Sequence, residues 1–477
     1  MLIANPRNRA LLGVWLRLCV AFTPMLLGGC TTYQARPLDP QEFMESFGAR
    51  TLDDAGLRTF IAGNRLTGLP APEWNLSQLT LAALYFSPEL DVARARWRTS
   101  RAAVLTAAQI PNPSLKFSVG RATNPPTGES PRTVDVGIDF PIETGRKRRY
   151  RTARAEFLSE AARLDVRNVA WQARSRVRSR LLDWYAAGAR AAVLENDVEV
   201  RQSIAAMLGK RLALGAASST EENQARIAFT QGRVDLASAR RQIDEAKSRL
   251  AAAIGLPAIA LETIRVRFDE FDRDRPTLDA GTIRRDAVLN RADLLAALAE
   301  YAAGESALRT EIAKQYPDLQ LGPAYTFDMG INKFALGVSN LALPIFNRNE
   351  GPIAEARAHR AELAAKFEAL QAKVIGEVDQ ALQADDSARR QLALADSLLE
   401  AERSQFERVK HSFAADEVDR LALALAAHAL HAAELAQRDA STKAREAIGK
   451  LEDAAQRPIV GEPTDVDLEF APRGAKP

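Results

Sequence analysis

Two segments of this chain, about two hundred residues apart, repeat one order of elements: helix, proline, strand, turn, strand, proline and a very long helix. Leu90 and Leu294 lie at the start of the matching helices, and Leu115 and Leu319 at the start of the matching strands. Both pairs are separated by 204 residues. Repetition at a fixed spacing is the signature of a duplicated architecture. The two copies are therefore predicted to supply equivalent segments to one assembly.

Each copy contains two predicted strands. In the first copy, apolar residues between Thr133 and Phe140 alternate with Asp135, Gly137 and Asp139. This period of two gives a strand one apolar and one polar face. The strands are predicted at about 115–122, 133–141, 318–328 and 333–344, and they close on Phe140-Pro141-Ile142 and Leu343-Pro344-Ile345.

A very long helix follows each hairpin, because the apolar residues then recur at a spacing near four. The first is predicted from Arg146 to about Leu214, roughly 100 Å at 1.5 Å per residue. The second is predicted from Gly351 to about Ser412. A helix of this length cannot bury its apolar stripe alone, so it must pack in a coiled coil or a larger bundle.

These elements set the predicted boundaries along the chain. Gly, Ser and Thr residues mark a reversal of each long helix, at tips near 213–221 and 411–419. The N-terminal arm is polar, with scattered Pro and Gly, and is expected to be irregular. The predicted parts are a signal peptide at 1–29, the arm at 30–75, a first repeat at 76–257, a connector at 258–280, a second repeat at 281–455 and a flexible tail at 456–477.

The N-terminus has the pattern of an export signal. Basic residues precede an apolar run, Leu18 to Leu27, that is too short to span a bilayer as a helix. The following Leu27-Gly28-Gly29-Cys30 resembles a bacterial lipobox, in which the cysteine becomes the lipidated first residue. Cys30 is the only cysteine outside the leader and has no intramolecular partner. A covalent lipid on Cys30 is expected, and the alternative is an ordinary signal with a chance cysteine.

Composition argues against several classes of function. Lys plus Arg number 64 and Asp plus Glu 61, so the charge is nearly balanced and gives no general attraction to nucleic acid. No later stretch has the roughly 18 apolar residues of a membrane helix, so any membrane crossing is predicted to use strands. The sequence contains no Gly-rich phosphate loop, zinc-protease helix or Gly-flanked serine elbow. We therefore expect neither an enzyme nor a cofactor other than the lipid.

A dense basic run, Arg146-Lys147-Arg148-Arg149, opens the first long helix. Such a run can bind nucleic acid. Here it directly follows a strand in a chain with an export signal. A collar at the membrane's inner face, with side chains extending to water, is the favoured interpretation.

Several motifs, taken in order, resemble the TolC family of outer-membrane efflux channels. The resemblance covers about residues 75–455, and the lipobox resembles that of the family's lipoprotein branch, which includes drug and heavy-metal efflux components. The motifs are Ser87-Pro88-Glu89-Leu90, Pro111-Asn112-Pro113, Phe140-Pro141-Ile142 with Gly145-Arg146, Ile254-Gly255-Leu256-Pro257 and Leu343-Pro344-Ile345-Phe346-Asn347-Arg348.

The resemblance implies a mainly α fold with a small β part. Three protomers would close about twelve strands into a transmembrane β-barrel, continued by a periplasmic α-helical barrel. Closure would satisfy strand edges that lipid does not tolerate. The implied partners are two further copies in a homotrimer, outer-membrane lipid, a periplasmic adaptor and an inner-membrane pump, most often of the resistance-nodulation-division type. The implied function is passive conduction of expelled drugs or metal ions, and the sequence leaves the substrate open.

The resemblance also directs attention to the helix tips, where acidic residues of the family constrict the tunnel and favour cations. It points to Asp419, which lies six residues after Phe413, and to Glu221, which lies six residues after Gly215. The two are predicted to occupy equivalent positions. The alternative is that they only stabilise helix N-termini. Nearby acidic candidates are Asp416, Glu417 and Glu222.

Two histidines suggest a weaker candidate site. His428 and His431, with Glu434 three residues further on, would share one helix face and could bind a divalent metal. Solvated histidines on a helix surface are the commoner arrangement.

Two other functions remain as alternatives. A periplasmic adaptor lipoprotein would need one helical hairpin within a β-rich remainder, whereas this chain has two hairpins and four strands. A structural lipoprotein that spans the periplasm as a coiled coil has no need for alternating strand pairs.

Overall fold

The computed structural model describes residues 32–64, 73–262, 264–271, 279–339 and 341–459. The predicted signal peptide, Cys30 and residues 460–477 of the predicted tail lie outside these ranges. The chain divides into two units, residues 1–49 and 50–477. In the first unit, helix α1 (Pro40–Gly48) is capped by Asp39, whose side chain accepts a hydrogen bond from the Gln41 amide.

The second unit begins with further regular structure in the N-terminal arm. Helix α2 (Ala55–Gly63) is capped by Asp54, and a short strand β1 (Glu73–Trp74) follows. The expectation of an irregular arm is therefore wrong in the described part of it. The two helices of the arm form for a local reason: each starts at an Asp whose side chain accepts hydrogen bonds from backbone N–H groups. One face of α2 is also fully buried through Leu57, Phe60 and Ile61.

The first repeat contains four helices and two strands. Pro88 lies at the first position of its helix, where the missing N–H has no cost, and Ser87 caps that helix. The long helix has 67 residues. The elements are α3 (Leu76–Phe86), α4 (Pro88–Ala108), β2 (Ser114–Arg121), β3 (Arg132–Ile142), α5 (Lys147–Ala213) and α6 (Ser219–Ile254).

A connector and the second repeat follow. In the connector, β4 (Arg265–Val266) pairs in parallel with β1, and α7 (Ala280–Asn290) leads into the second repeat. The long helix of the second repeat has 65 residues. The elements of this repeat are α8 (Ala292–Ala313), β5 (Leu319–Asp328), β6 (Ile331–Ser339), α9 (Glu350–Ala414) and α10 (Arg420–Ala455).

The duplication extends to left-handed backbone positions. A positive φ occurs just before each long helix, at each tip and at the end of each returning helix. Only two of these six positions are glycine, although glycine is the residue that adopts this conformation without strain. The matched pairs are Arg146 (φ 62) with Asn349 (φ 63), Gly215 (φ 70) with Asp416 (φ 57), and Gly255 (φ 90) with Gln456 (φ 47).

The four long strands form one antiparallel sheet in the order β2-β3-β5-β6. Its register places apolar residues opposite one another on one face, as in the pairs Phe117–Val136 and Tyr325–Phe334. The other face carries polar and small side chains. The apolar face is open, since Phe117 is 66% and Phe334 84% exposed. Exposed apolar surface of this kind marks a face that contacts lipid or another protein.

The second hairpin ends earlier than predicted. Strand β6 stops at Ser339, so a strand continuing to residue 344 is wrong. The equivalent segment of the first copy is a strand up to Ile142 because β3 is internal and pairs there with Leu319 of β5. Strand β6 has only one neighbour among the described strands, and Pro344 lacks an N–H for pairing.

The hydrophobic core surrounds the middle of the long helices. The larger cluster joins α2, α3 and α4 to α5, with Leu79, Phe86 and Leu181 fully buried. A smaller cluster joins α7 and α8 to α9 and α10 around Val378 and Leu451. Within the described ranges, no helix combines the length and apolar character that a bilayer crossing requires. The packing therefore leaves the sheet at one end of the long helices and the tips at the other.

Candidate functional site at the helix tips

The first tip is a compact turn between α5 and α6. Gly215 takes the left-handed conformation, and the Ala216 amide donates to the Arg211 carbonyl at 2.7 Å. This hydrogen bond closes the C-terminus of α5. Ser218 then caps α6. Its hydroxyl accepts the Glu221 amide at 3.2 Å, while the Glu221 carboxylate accepts the Ser218 amide at 2.8 Å. This reciprocal arrangement is a capping box.

The second tip uses the same backbone path with different side chains. Asp416 takes the left-handed conformation, and the Glu417 amide donates to the Ser412 carbonyl at 2.9 Å. Asp419 caps α10, because its Oδ1 accepts the Ala422 amide at 2.8 Å. Aspartate tolerates the left-handed region better than most residues do, since its short polar side chain can bond locally. The second tip therefore makes the same turn as the first, with Asp416 in place of a glycine at the left-handed position.

The predicted equivalence of Asp419 and Glu221 is wrong. The capping residue of α6 is Ser218, and the capping residue of α10 is Asp419, which lies 201 residues later. At the same spacing, Glu221 matches Ala422. The prediction aligned Gly215 with Phe413. In the structure, the residue that matches Gly215 in its left-handed conformation is Asp416, three residues later.

Asp419 has a second interaction that sequence analysis missed. Its Oδ2 forms an ion pair with the guanidinium of Arg211, in the last turn of α5. One carboxylate thus caps α10 and connects it to the end of the other long helix. The only signal in the sequence was a basic residue in the last turn of a helix, where a cation interacts favourably with the helix dipole. That signal does not reveal a partner 208 residues away.

Hydrogen bonding keeps these two tip carboxylates ionised. The Ser218 amide and hydroxyl lower the pKa of Glu221 below its usual range. The Ala422 amide, followed by the Arg211 guanidinium, lowers the pKa of Asp419. Among the other predicted acidic residues, Asp416 and Glu417 are exposed, and Glu222 lies 3.7 Å from Arg226.

The two predicted histidines face a buried carboxylate. Nδ1 of His428 lies 2.6 Å from Oδ1 of Asp197, and Nδ1 of His431 lies 3.8 Å from the same oxygen. Arg201 donates to the other oxygen at 2.6 Å. Asp197 is only 1% exposed. Burial by itself raises the pKa of Asp197, but the interactions with His428, His431 and Arg201 outweigh it and lower that pKa.

This arrangement argues against the metal interpretation of the histidines. Within the described ranges, no group of three or more His, Cys, Asp or Glu side chains has an arrangement suited to a metal ion. The histidines instead connect α10 to α5 through Asp197, which was not predicted. Its signal was a single acidic residue among buried Val193, Leu194 and Ile204 on the apolar stripe.

Polar contacts connect α5 and α10 at several further levels. Arg190 and Asp439 form an exposed pair at 2.9 Å. Closer to the core, Ser175 and Trp171 donate to Asp453 at 2.7 and 3.2 Å. Burial raises the pKa of Asp453 despite these hydrogen bonds. The contacts at the tip are exposed and those near the core are buried, so the interface is weakest at the tip.

A groove near the tips lies between α5, α6 and α10. Its volume is about 360 Å³, and its lining is mostly apolar. Ile204, Ala225 and Leu421 line it from the three helices, and Glu221 and Arg201 also belong to the lining.

Comparison with known proteins identifies this architecture. Residues 80–256 match the family model described as outer membrane efflux protein. The matched part is the first repeat of the chain, which is thus similar to this family. The family consists of channel proteins, not enzymes.

Two relatives carry names that refer to metal resistance and to export. The chain is 26% identical to the cobalt-zinc-cadmium resistance protein CzcC of Cupriavidus metallidurans over 55% of this chain and 61% of that protein. It is 23% identical to the pyoverdine export outer membrane protein OpmQ of Pseudomonas putida over 74% of this chain and 81% of that protein. The first alignment thus spans less than two thirds of CzcC.

Solved structures share the fold. The outer membrane protein VceC of Vibrio cholerae matches with a TM-score of 0.64 at 18% identity, over 80% of this chain and 96% of that one. CusC matches with a TM-score of 0.65 at 18% identity, over 90% and 99%. The mainly helical fold with a small sheet is therefore shared with these membrane proteins.

Proposed function

We propose that three copies of this chain form an outer-membrane channel that passively conducts solutes expelled by an inner-membrane pump. The observation that carries this proposal is the open sheet. Its outer strands, β2 and β6, each have one free edge among the described strands, and one face is apolar and exposed. Three such sheets, joined edge to edge, close a barrel of about twelve strands with its apolar face toward lipid.

The long helices extend the conduit into the periplasm in this proposal. Helices of 67 and 65 residues reach roughly 100 Å at 1.5 Å per residue. A periplasmic adaptor connects the tips to a pump, for which the resistance-nodulation-division type is favoured. The apolar groove near the tips gives an adaptor helix a surface to contact.

The lipid anchor is part of the same proposal. Cys30 is the residue to which a covalent lipid would attach, and the protein needs no other cofactor. The lipid would hold the N-terminus at the membrane surface into which the sheet inserts.

The tips are the proposed constriction. Asp419, Glu221 and their acidic neighbours Asp416, Glu417 and Glu222 repeat three times about the axis of a trimer. Converging carboxylates create a negative potential that favours cations. The ion pair with Arg211 makes Asp419 part of the closure as well as of the selectivity.

The names of the relatives point to two classes of substrate. CzcC is named for resistance to cobalt, zinc and cadmium, and OpmQ for export of pyoverdine. We infer that this channel conducts metal ions or small organic molecules, with the choice made by the pump. A periplasmic adaptor or a coiled-coil spacer explains neither the apolar sheet face nor the family match.

One pair of variants tests the proposal. Phe117→Arg places a charge on the apolar face of β2, whereas Ser118→Arg places it on the polar face of the same strand. A charge on a lipid-facing strand position costs about 2–4 kcal/mol near the bilayer midplane. We expect the parent and Ser118→Arg to purify as conducting trimers, measured by light scattering and planar-bilayer conductance. Phe117→Arg should fail to insert. A parent that is a monodisperse, non-conducting monomer contradicts the proposal.

A further inference from the structure

A basic cleft lies where the sheet meets the first long helix. It occupies about 990 Å³ between the end of α4 and the start of α5. Arg146, Arg148 and Arg149 line it, together with the apolar residues Ala108, Ile110 and Pro141. The cleft therefore combines cations with an apolar wall, which is the lining that a lipid headgroup and its glycerol region require.

The cations that line the cleft are free to bind an anion. Lys147, in the same run, is buried and pairs with Asp318 at 2.7 Å. Arg151 is engaged by Glu143 at 2.6 Å. By contrast, Arg146, Arg148 and Arg149 are exposed and form no ion pair with any described residue. The lining contains two acidic residues, Glu143, which pairs with Arg151, and Glu156. The three arginines outnumber them, so the net charge of the lining is positive.

The second repeat shows that the helix start does not require these cations. Arg146 and Asn349 share the left-handed conformation and lie 203 residues apart. At that spacing, Arg148 and Arg149 correspond to Gly351 and Pro352. The same junction thus forms without a basic run, so stability of the turn does not explain the arginines.

The position of the cleft on α5 indicates which side of the assembly it faces. Arg149 precedes Ala170 by 21 residues, which is nearly six turns at 3.6 residues per turn, so the two lie on similar sides of α5. Ala170 packs in the core cluster that contains α3. A closed helical tube has to carry that additional layer on its outside, since the layer would otherwise fill the conduit. We therefore place the cleft on the outer side of the tube, where Pro141, which lines it, directly precedes the exposed apolar residue Ile142.

We propose that this cleft binds the phosphate of an anionic phospholipid in the periplasmic leaflet of the outer membrane. The proposal rests on the proposed channel function, because it requires the sheet to lie in the bilayer. Guanidinium groups bind phosphate oxygens through paired hydrogen bonds. Exposed Ile110 would contact the glycerol and upper acyl region. One cleft per protomer gives three lipids per trimer, because the second repeat lacks the cations.

The test compares Arg148→Gln/Arg149→Gln with Arg96→Gln/Arg98→Gln in the full-length protein. The control removes the same charge from exposed arginines of α4, roughly 15 Å along the helix from its end at Ala108. Delipidated protein in detergent is titrated with phosphatidylglycerol or phosphatidylcholine, and native mass spectrometry counts the lipids retained. We expect up to three phosphatidylglycerol molecules per parent trimer. Binding should weaken about tenfold or more in the cleft variant and remain unchanged in the control.

Separate readouts distinguish the possible failures. Light scattering and conductance on the same samples report the channel function. A conducting parent trimer without preference for phosphatidylglycerol overturns only the lipid site. Displacement of the lipid by inorganic phosphate at millimolar concentration assigns the cleft to free anions. A cleft variant with normal lipid retention but an altered reversal potential places the arginines in the conduit, and both of these results overturn the proposal.

Discussion

Arg211, in the last turn of α5, forms an ion pair with Asp419, the residue that caps α10. The two long helical hairpins of one protomer are therefore joined at the tips through a single carboxylate. Because both side chains are partly exposed, the pair is weak in stability terms. Its importance lies in position, since any separation of α10 from α5 at the tip breaks it.

The first prediction concerns this ion pair. Arg211→Gln should release α10 at the tip and leave Asp419 unpaired. We expect larger or longer conductance openings and a higher cation selectivity in planar bilayers. Lys410→Gln is the matched control, because it removes a charge near the same tip from a lysine that pairs with Glu407 at 3.1 Å. Equal behaviour of the two variants would show that the Arg211–Asp419 contact has no part in closure.

The second prediction concerns charge at the constriction. Asp419→Asn can retain the N-cap but loses the negative charge, and Glu221→Gln does the same within the capping box. We expect Asp419→Asn to lower cation selectivity, and the double variant to lower it further. Reversal potentials in a salt gradient measure this. Identical values for parent and double variant mean that the carboxylates only cap helices.

The same carboxylates predict a pH dependence. The pKa values of Glu221 and Asp419 are lowered from 4.5 and 3.8 in the folded protein. A group with a lowered pKa stabilises the fold at pH values above its ordinary pKa, and this contribution is lost as the pH falls through the folded value. The tips should therefore remain closed and cation-selective at neutral pH. Selectivity should fall only below about pH 4, and the Asn/Gln double variant should lack this transition.

The third prediction concerns the left-handed tip residues. Gly215→Ala should weaken the first tip by about 1 kcal/mol, because a Cβ is unfavourable at positive φ. Asp416→Gly should strengthen the second tip by a smaller amount. Hydrogen exchange of the Ala216 and Glu417 amides reports each tip separately, since both donate the closing hydrogen bond. Protection that moves in the same direction in both variants contradicts the assignment.

The fourth prediction compares a buried and an exposed contact between α5 and α10. Asp197→Ala removes a fully buried carboxylate and leaves Arg201 and His428 without their hydrogen-bond partner, which should cost about 3 kcal/mol. Asp439→Ala removes the exposed partner of Arg190 and should cost less than about 1 kcal/mol. Thermal midpoints of the trimer at fixed protein concentration test the contrast. A similar small shift in both variants would show that Asp197 is not structurally important.

The periodic features were the parts that sequence could predict. Alternation between Thr133 and Phe140 defines a strand because each second side chain must reach the same face. The stripe of α5 similarly predicts a long helix that needs partners. Both signals are local, since they depend only on the spacing of residues within one element.

The remaining features depend on contacts between distant residues. Asp197 and His428 are 231 positions apart, so no local pattern pairs them. The predicted alignment of the two tips was wrong for another reason. The left-handed residue is a glycine in the first tip and Asp416 in the second, so an alignment that started from Phe413 used the wrong residue. Strand β6 ended at Ser339, where it pairs with Gln320 of β5, and it has no second neighbour among the described strands.

In the proposed trimer, the edges of β2 and β6 that no described strand pairs with make folding inseparable from association with other copies. A protomer in isolation leaves two rows of backbone donors and acceptors unsatisfied beside an exposed apolar surface, which is a template for uncontrolled strand pairing. We therefore expect the nascent chain to depend on chaperones during export. The yield of folded protein should depend on the relative rates of association between copies and of aggregation. Modest overproduction should favour aggregation.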